Sequence, residues 1–261
     1  MFMSNPMTLY ILLALIGAAT GALTGLTGAS GMSILVSGLL LTGMEIREVI
    51  GLTFIVTLAN SVMAVPAYWR KNNIDLRTAA CLALTAVALI PIGHSLGGLV
   101  RSELLTIVML VGLFVLGVKI TFSELSSTSE NVRVQETPKA SPRMFFLVGL
   151  GGILGLVMGM MGGGGSVFIA TGLVVLFKIP LRIAIGTSVL VMGVAAIPGV
   201  ILHFDAGTLD WKMAAALLLT SIPSSILASV LANKASERVI QRTLGIYLLG
   251  ISSVLAFRLY G

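Results

Sequence analysis

The sequence predicts an all-α polytopic membrane protein made of two inverted repeats. Three observations lead to this fold class: an apolar composition, apolar runs of membrane-spanning length, and two glycine-rich breaks at matching places in the two halves. Hydrophobic residues make up 57% of the 261 residues and charged residues only 10%, whereas about 25% of the residues in a soluble domain are charged. The composition therefore excludes an ordinary soluble domain.

The apolar runs predict about eight full spanning helices and two short ones. Eight runs are long enough to cross about 30 Å of hydrocarbon: Thr8–Thr27, Val49–Tyr68, Thr78–Leu99, Leu104–Phe122, Met144–Met161, Ile183–His203, Met213–Ala232 and Val239–Phe257. Two shorter runs, Met32–Thr42 and Val167–Phe177, follow the glycine breaks. At about 1.5 Å per residue, each is too short to span the membrane unaided.

The two halves align with each other, which predicts an internal duplication. From position 47 to position 120 an offset of 135 residues places Arg47 on Arg182 without a gap. Before position 47 the offset is 134, and it places Gly28 on Gly162. The predicted units are an N-terminal transmembrane repeat (1–122), a polar linker (123–142) and a C-terminal transmembrane repeat (143–261).

The distribution of basic residues favours opposite orientations for the two repeats. If both short segments cross the membrane and the N-terminus is outside, 12 of the 16 Lys and Arg residues lie inside. If both short segments are re-entrant, the better orientation gives 9 inside and 7 outside. Because basic residues are enriched in cytoplasmic loops, we expect five segments in each half and a cytoplasmic linker. A predictor that counts only long runs would report eight spans.

The glycine breaks are the predicted substrate-binding region. Broken helix inside a membrane survives only where protein or a cavity surrounds it, and paired breaks in a duplicated protein indicate a transport site. The exposed amides of a helix start attract an anion, and glycine allows close approach of the backbone. The first break and the helix start after it contribute Gly28, Ala29, Ser30, Gly31 and Ser33, and the second contributes Gly162, Gly163, Gly164, Gly165 and Ser166.

Other candidates come from the few polar residues within the apolar runs. Asn60 and His94 are the most costly to leave without a partner in hydrocarbon, and Thr187 and Ser188 add hydroxyls near the glycine breaks. We predict Asn60, Thr187 and Ser188 as substrate-binding residues, with Arg47, Arg182 and His94 as electrostatic or gating candidates. Packing by small residues and interfacial snorkelling by the arginines are the competing structural explanations. The aspartates at 75 and 210 are interpreted as helix N-caps.

The chain resembles the TauE/SafE family of anion transporters, usually described as sulfite or organosulfonate exporters. Three motifs carry the resemblance: Gly159 to Ser166, Ile179 to Arg182 with Gly186-Thr187-Ser188, and Leu209-Asp210-Trp211. The first half departs from the pattern, because its break has only two glycines and Met44-Glu45-Ile46 lacks the proline. The resemblance implies an anion transporter, and sulfite or an organosulfonate as its substrate.

The predicted function is therefore export of a small oxyanion by alternating access through a cell (inner) membrane. Expected partners are the anionic substrate and the lipid bilayer; no nucleic acid, cofactor or metal is expected, and a homo-oligomer is left open. No motif suggests an enzyme. The alternatives are a carrier of a cation or neutral metabolite, or a membrane assembly subunit that does not transport. No Asp or Glu lies deep in an apolar run, which weighs against the carrier of a cation or metabolite.

Overall fold

The computed structural model is built of α-helices joined by short turns and loops in the part of the chain that it describes. It describes residues 6–28, 31–40, 42, 44–97, 114, 118, 142–161, 166–207, 209–236, 238–240, 242–243, 245–246, 249–250 and 253. The helices are α1 (Pro6–Thr27), α2 (Met32–Leu40), α3 (Ile46–Trp69), α4 (Leu76–Leu96), α5 (Pro142–Met161), α6 (Ser166–Val175), α7 (Leu181–Asp205) and α8 (Trp211–Lys234). No strand occurs within these ranges, and the all-α prediction is confirmed.

The helices follow the predicted apolar runs closely. Five of them are long and apolar enough to cross a membrane: Met7–Thr27, Arg47–Trp69, Leu76–Leu96, Leu181–Asp205 and Trp211–Lys234. A shorter apolar stretch, Met144–Met160, lies in α5, and α2 and α6 are the two short helices. The linker apart from Pro142, which begins α5, and nearly all of the predicted run Leu104–Phe122 lie outside the described residues, as does part of the run Val239–Phe257.

The two aspartates are N-caps, as the sequence predicts. The Asp75 carboxylate accepts hydrogen bonds from the backbone amides of Arg77 and Thr78 at the start of α4. The Asp210 carboxylate does the same with the amides of Lys212 and Met213 at the start of α8. Each pair of bonds satisfies amides that have no partner within the first turn of the helix.

Two helix pairs pack closely through stripes of glycine. Gly17, Gly21 and Gly25 of α1 face α8, and a Cβ atom on Gly21 would lie 2.9 Å from the Cα of Ser221. Gly151, Gly155 and Gly159 of α5 face α4, and a Cβ atom on Gly155 would lie 2.7 Å from the Cα of Ala86. Contacts advance together along both chains, so α1 runs parallel to α8 and α5 parallel to α4. Small residues at such contacts let membrane helices approach closely.

The long helices α3 and α7 cross the centre of the molecule in opposite directions. A Cβ atom on Gly51, near the start of α3, would lie 3.2 Å from the Cβ of His203, near the end of α7. A Cβ atom on Gly186, near the start of α7, would lie 3.0 Å from the Cβ of Tyr68, near the end of α3. The two helices are therefore antiparallel.

Helix α2 carries the chain back along α1. Leu13 of α1 and Val49 of α3 belong to one apolar cluster, and the Tyr68 hydroxyl at the end of α3 donates to the Gly25 carbonyl near the end of α1, 2.5 Å away. Since α3 thus runs beside α1 in the same direction, the short helix between them must return to the level where α1 begins. A nine-residue helix can do so because the chain continues for several residues at each end.

Candidate functional site

The first glycine break joins the two halves. Gly28 ends α1 with a φ of +65°, a left-handed conformation that favours glycine. A Cβ atom there would lie 2.6 Å from the Ser188 hydroxyl and 2.9 Å from the Ile185 carbonyl, both in α7. The Ser188 hydroxyl donates to the Ile185 carbonyl at 2.8 Å and lies 3.4 Å from the Gly28 carbonyl. Two predicted site residues, Gly28 and Ser188, are therefore neighbours.

On its other side the break returns to α1. A Cβ atom on Gly31 would lie 2.5 Å from the Cγ2 of Thr20, and the Gly31 carbonyl accepts from the amide of Leu35 in the first turns of α2. The break thus connects α7 to the middle of α1. Several predicted site residues lie outside the described residues: Ala29, Ser30, Gly162, Gly163, Gly164 and Gly165. Ser33 and Ser166 belong to α2 and α6, but their side chains are also outside the description.

A set of six buried polar side chains lies on α1, α3 and α8, three helices that pack against one another. We call it the polar cluster: Thr20, Thr24, Asn60, Ser61, Ser221 and Ser225. The Ser225 hydroxyl donates to the Asn60 carbonyl at 3.0 Å, which links α8 to α3. A Cβ atom on Gly193 would lie 2.9 Å from the Cβ of Ser61, which links α3 to α7.

Three members of the polar cluster have polar atoms that bond to nothing in the described structure. These atoms are both the Nδ2 and Oδ1 of Asn60, the Oγ of Ser61 and the Oγ of Ser221. Each residue has an exposed fraction of 0%. Thr20 and Thr24 differ, because their hydroxyls donate to carbonyls of their own helix. Unpaired buried polar groups are costly in a membrane, and a ligand or water that bonds to them removes that cost.

Thr187 faces a different helix from Ser188. Its hydroxyl accepts a 3.0 Å hydrogen bond from the amide of Asp75, the residue that caps α4. The contact ties the first turns of α7 to the start of α4. Of the two predicted hydroxyls, only Ser188 contacts the first glycine break.

The two predicted arginines lie near the ends of helices. The Arg182 guanidinium donates to the carbonyls of Asn233 and Ala235, at 3.0 and 2.6 Å, at the C-terminal end of α8. A cation is favourable at this end of a helix. Arg47 is exposed in the first turn of α3. Among the described residues, no Lys, Arg, Asp or Glu is buried.

His94 has a neighbour from the other half that the sequence spacing did not indicate. Its ring centroid lies 5.4 Å from that of His203 in an edge-to-face arrangement. His94 is exposed in the last turn of α4, whereas His203 is buried in the last turn of α7. Within the described part of the chain, no group of three His, Cys, Asp or Glu residues is arranged to hold a metal ion.

Comparison with known proteins identifies the family. The profile of the family described as "Sulfite exporter TauE/SafE" matches residues 13–255, almost the whole chain. The chain belongs to the TauE/SafE family. It is 27% identical over 247 residues to the "Probable membrane transporter protein YjnA" of Bacillus subtilis. The aligned region covers 87% of this chain and 92% of that protein.

A second relative aligns with even more of the chain. A "Probable membrane transporter protein" of Xylella fastidiosa is 26% identical over 260 residues, 97% of either chain. No solved structure matches significantly. With its five long apolar helices and its membership of the TauE/SafE family, the chain is a multi-pass membrane protein.

Of the six members of the polar cluster, sequence reasoning predicted only Asn60 as a site residue and missed the other five. Two of the missed residues, Ser61 and Ser221, carry the unpaired hydroxyls. Their hydroxyls resemble any other serine hydroxyl in a helix, most of which bond to their own helix. The missing intrahelical bond is visible only in the structure.

Proposed function

We propose that this TauE/SafE transporter exports a small oxyanion, either sulfite or an organosulfonate, across the inner cell membrane by alternating access. The substrate would lie between the halves, close to the first glycine break and the polar cluster. The observation that carries the proposal is that the fully buried polar atoms of Asn60, Ser61 and Ser221 lack partners in the described structure. Such a region is expensive in hydrocarbon unless it serves a substrate.

Backbone amides supply the attraction for an anion in this proposal. Helices α2 and α6 both start directly after a glycine break, and a helix start carries unpaired amides and a partial positive charge. Discontinuous helices of other transporters direct their N-termini at anionic substrate groups in this way. The TauE/SafE sulfite-exporter family match supports an anion as the cargo.

The directions of the helices support an inverted arrangement of the two repeats. At the offset of 135 residues, α3 corresponds to α7, and these helices run antiparallel. If the short segments were re-entrant, each half would cross the membrane four times and α3 and α7 would run in the same direction. The return of the chain along α1 through α2 also favours five crossings in each half. Inverted repeats are typical of transporters that alternate their access.

The membrane potential supplies the driving force in this proposal. An interior-negative potential favours outward movement of a monovalent anion by about 2.3 kcal/mol per 100 mV. No carboxylate is buried in the described residues, and carboxylates are the usual proton relays of coupled carriers. We therefore infer transport that is weakly coupled or uncoupled to protons. The same lack of buried carboxylates favours an anion over the alternative of a cation substrate.

Flux measurements in proteoliposomes test this function. The purified protein would be reconstituted and the efflux of sulfite, sulfoacetate, sulfate, thiosulfate and chloride compared under an imposed potential, with protein-free liposomes as the control. We expect selective efflux of sulfite or of an organosulfonate that stops when the potential is reversed. Absence of flux for every anion would contradict the proposal, as would an organosulfonate flux that requires a proton gradient.

A further inference from the structure

The polar cluster has an apolar counterpart in the same molecule. At the offsets of 134 and 135 residues, its members correspond to residues without polar side chains: Thr20 to Leu154, Thr24 to Met158, Asn60 to Ala195, Ser61 to Ala196, Ser221 to Ala86 and Ser225 to Ile90. Four of these counterparts, Ala86, Ile90, Met158 and Ala195, form one buried apolar cluster.

The backbone around the two clusters is packed in the same way. Gly21 faces the carbonyl of Ser221, and the corresponding Gly155 faces the carbonyl of Ala86. The fold therefore accepts apolar side chains at these positions without loss of the helix contact. The hydroxyls and the amide occur in only one of the two corresponding clusters, so packing does not require them. Unpaired polar groups within a membrane indicate function.

The unpaired atoms define what a ligand must offer. The Asn60 Nδ2 is a donor and its Oδ1 is an acceptor, while the Ser61 and Ser221 hydroxyls can do either. A ligand that satisfies both amide atoms must carry hydrogen-bond acceptors and a hydrogen-bond donor, and on an oxyanion that donor is a hydroxyl. No basic residue is buried among the described residues. Because the cost of removing an ion from water rises steeply with its charge, a single negative charge is far less costly here than two.

We infer that the polar cluster binds the substrate, and that this substrate is a singly charged oxyanion bearing a hydroxyl. This inference rests on the proposed anion transport and specifies its substrate. For sulfite, the bound species is hydrogen sulfite, whose hydroxyl donates to the Asn60 Oδ1 while its other oxygens accept from the Asn60 amide and the two serines. Among organosulfonates, those with a hydroxyl group fit best.

Serine substitutions with a matched control test the location of the site. Ser229 lies on the same helix as Ser221 and is equally buried, but its hydroxyl donates to the Ile226 carbonyl of its own helix. We expect Ser221→Ala and Ser61→Ala to lower potential-driven sulfite efflux about tenfold or more, since each removes a hydrogen bond to an anion. Ser229→Ala should leave the efflux unchanged. Equal effects of Ser221→Ala and Ser229→Ala would overturn the inference.

Two matched ligands test the chemical class. Isethionate and 1-propanesulfonate are singly charged at every relevant pH and have the same length, but only isethionate carries a hydroxyl. Isethionate should inhibit sulfite efflux of the wild type more strongly than 1-propanesulfonate. Equal inhibition by both sulfonates in the wild type would overturn the role of the Asn60 Oδ1.

A pH series tests the charge of the bound species. Sulfite efflux should fall as the pH rises through the range in which hydrogen sulfite loses its proton. Isethionate efflux over the same range is the control, because it reports any effect of pH on the protein itself. A parallel fall for both anions, or no fall for sulfite, would overturn the selection of the monoanion. No flux of any anion would instead contradict the proposed function.

Discussion

Asn60 shows at the scale of one residue how function is separated from packing. Its amide is fully buried, its backbone carbonyl accepts from Ser225, and neither polar atom of its side chain has a partner in the described structure. A purely structural asparagine in a membrane helix would bond to a neighbouring helix. Asn60 was predicted as a site residue only because a side-chain amide without a partner is costly in hydrocarbon. That assignment remains a prediction.

Replacing Asn60 with leucine should stabilise the protein while stopping transport. Leucine has a similar size and removes two unpaired polar atoms, so we expect the free energy of unfolding in detergent to rise by about 1–3 kcal/mol. Anion efflux should be lost because the substrate loses its amide partner. Thermal unfolding and efflux of the same preparation measure both effects. A destabilised Asn60→Leu protein would indicate that the amide has a structural partner.

Gly28 contributes through both conformation and space. Gly28→Ala places a Cβ atom in the left-handed region and against the Ser188 hydroxyl and the Ile185 carbonyl. We expect a loss of stability of about 3 kcal/mol from strain and overpacking together, with little remaining efflux.

Gly207 provides the matched control for Gly28. It has the same φ of +65°, but a Cβ atom there would meet nothing within 4 Å. Gly207→Ala should therefore cost only about 1 kcal/mol and retain efflux. Equal loss of stability in the two variants would show that the contact between Gly28 and α7 is unimportant. Thermal unfolding in detergent is the measurement.

At the scale of helices, much of the architecture could be predicted from the sequence. The ends of α3, α4, α7 and α8 follow from apolar runs flanked by polar residues, and the Asp75 and Asp210 caps follow from their position before such runs. The partners of each helix could not be predicted. Glycines that recur every four residues in α1 and α5 indicate close packing, but they do not say against which helix. That choice depends on the shape of the whole bundle.

The glycine stripes predict a sharp difference between two positions on α5. Gly155→Leu puts a large side chain against the backbone of Ala86 in α4, so α4 and α5 must separate. We expect a markedly lower unfolding temperature, since overpacking typically costs about 1–3 kcal/mol. Gly149→Leu on the same helix is the control, because a Cβ atom at Gly149 meets nothing within 4 Å. Similar unfolding temperatures for the two variants would contradict the packing of α4 on α5.

At the scale of the whole molecule, the charge distribution and the helix directions lead to the same topology. The basic residues favour five crossings in each half, and the antiparallel course of α3 and α7 supports this number independently. The sequence could not predict that the polar cluster forms a single site whose counterpart is apolar, because that requires knowing which residues of the two halves become neighbours. The pairing of His94 with His203 escaped prediction for the same reason.

Labelling with a membrane-impermeant thiol reagent tests the topology. In a Cys81→Ser background, Lys71→Cys marks the loop after α3 and Gly207→Cys marks the loop after α7. Inverted repeats place these loops on opposite sides of the membrane, with Lys71 inside. We expect labelling of intact cells at position 207 only, and labelling of both positions after permeabilisation. The same result at both positions in intact cells, with either both labelled or neither labelled, would favour four crossings in each half.

The most direct test of the central claim is the charge movement that follows a sulfite concentration jump. Proteoliposomes adsorbed on a solid-supported membrane would be exposed to sulfite at the pH at which hydrogen sulfite predominates, and the current would be recorded for the wild type, Asn60→Leu and Ser229→Ala. Our account predicts a current with the sign of anion entry in the wild type and Ser229→Ala, and none in Asn60→Leu. An equal current in Asn60→Leu, or none in the wild type, would contradict anion transport through the polar cluster.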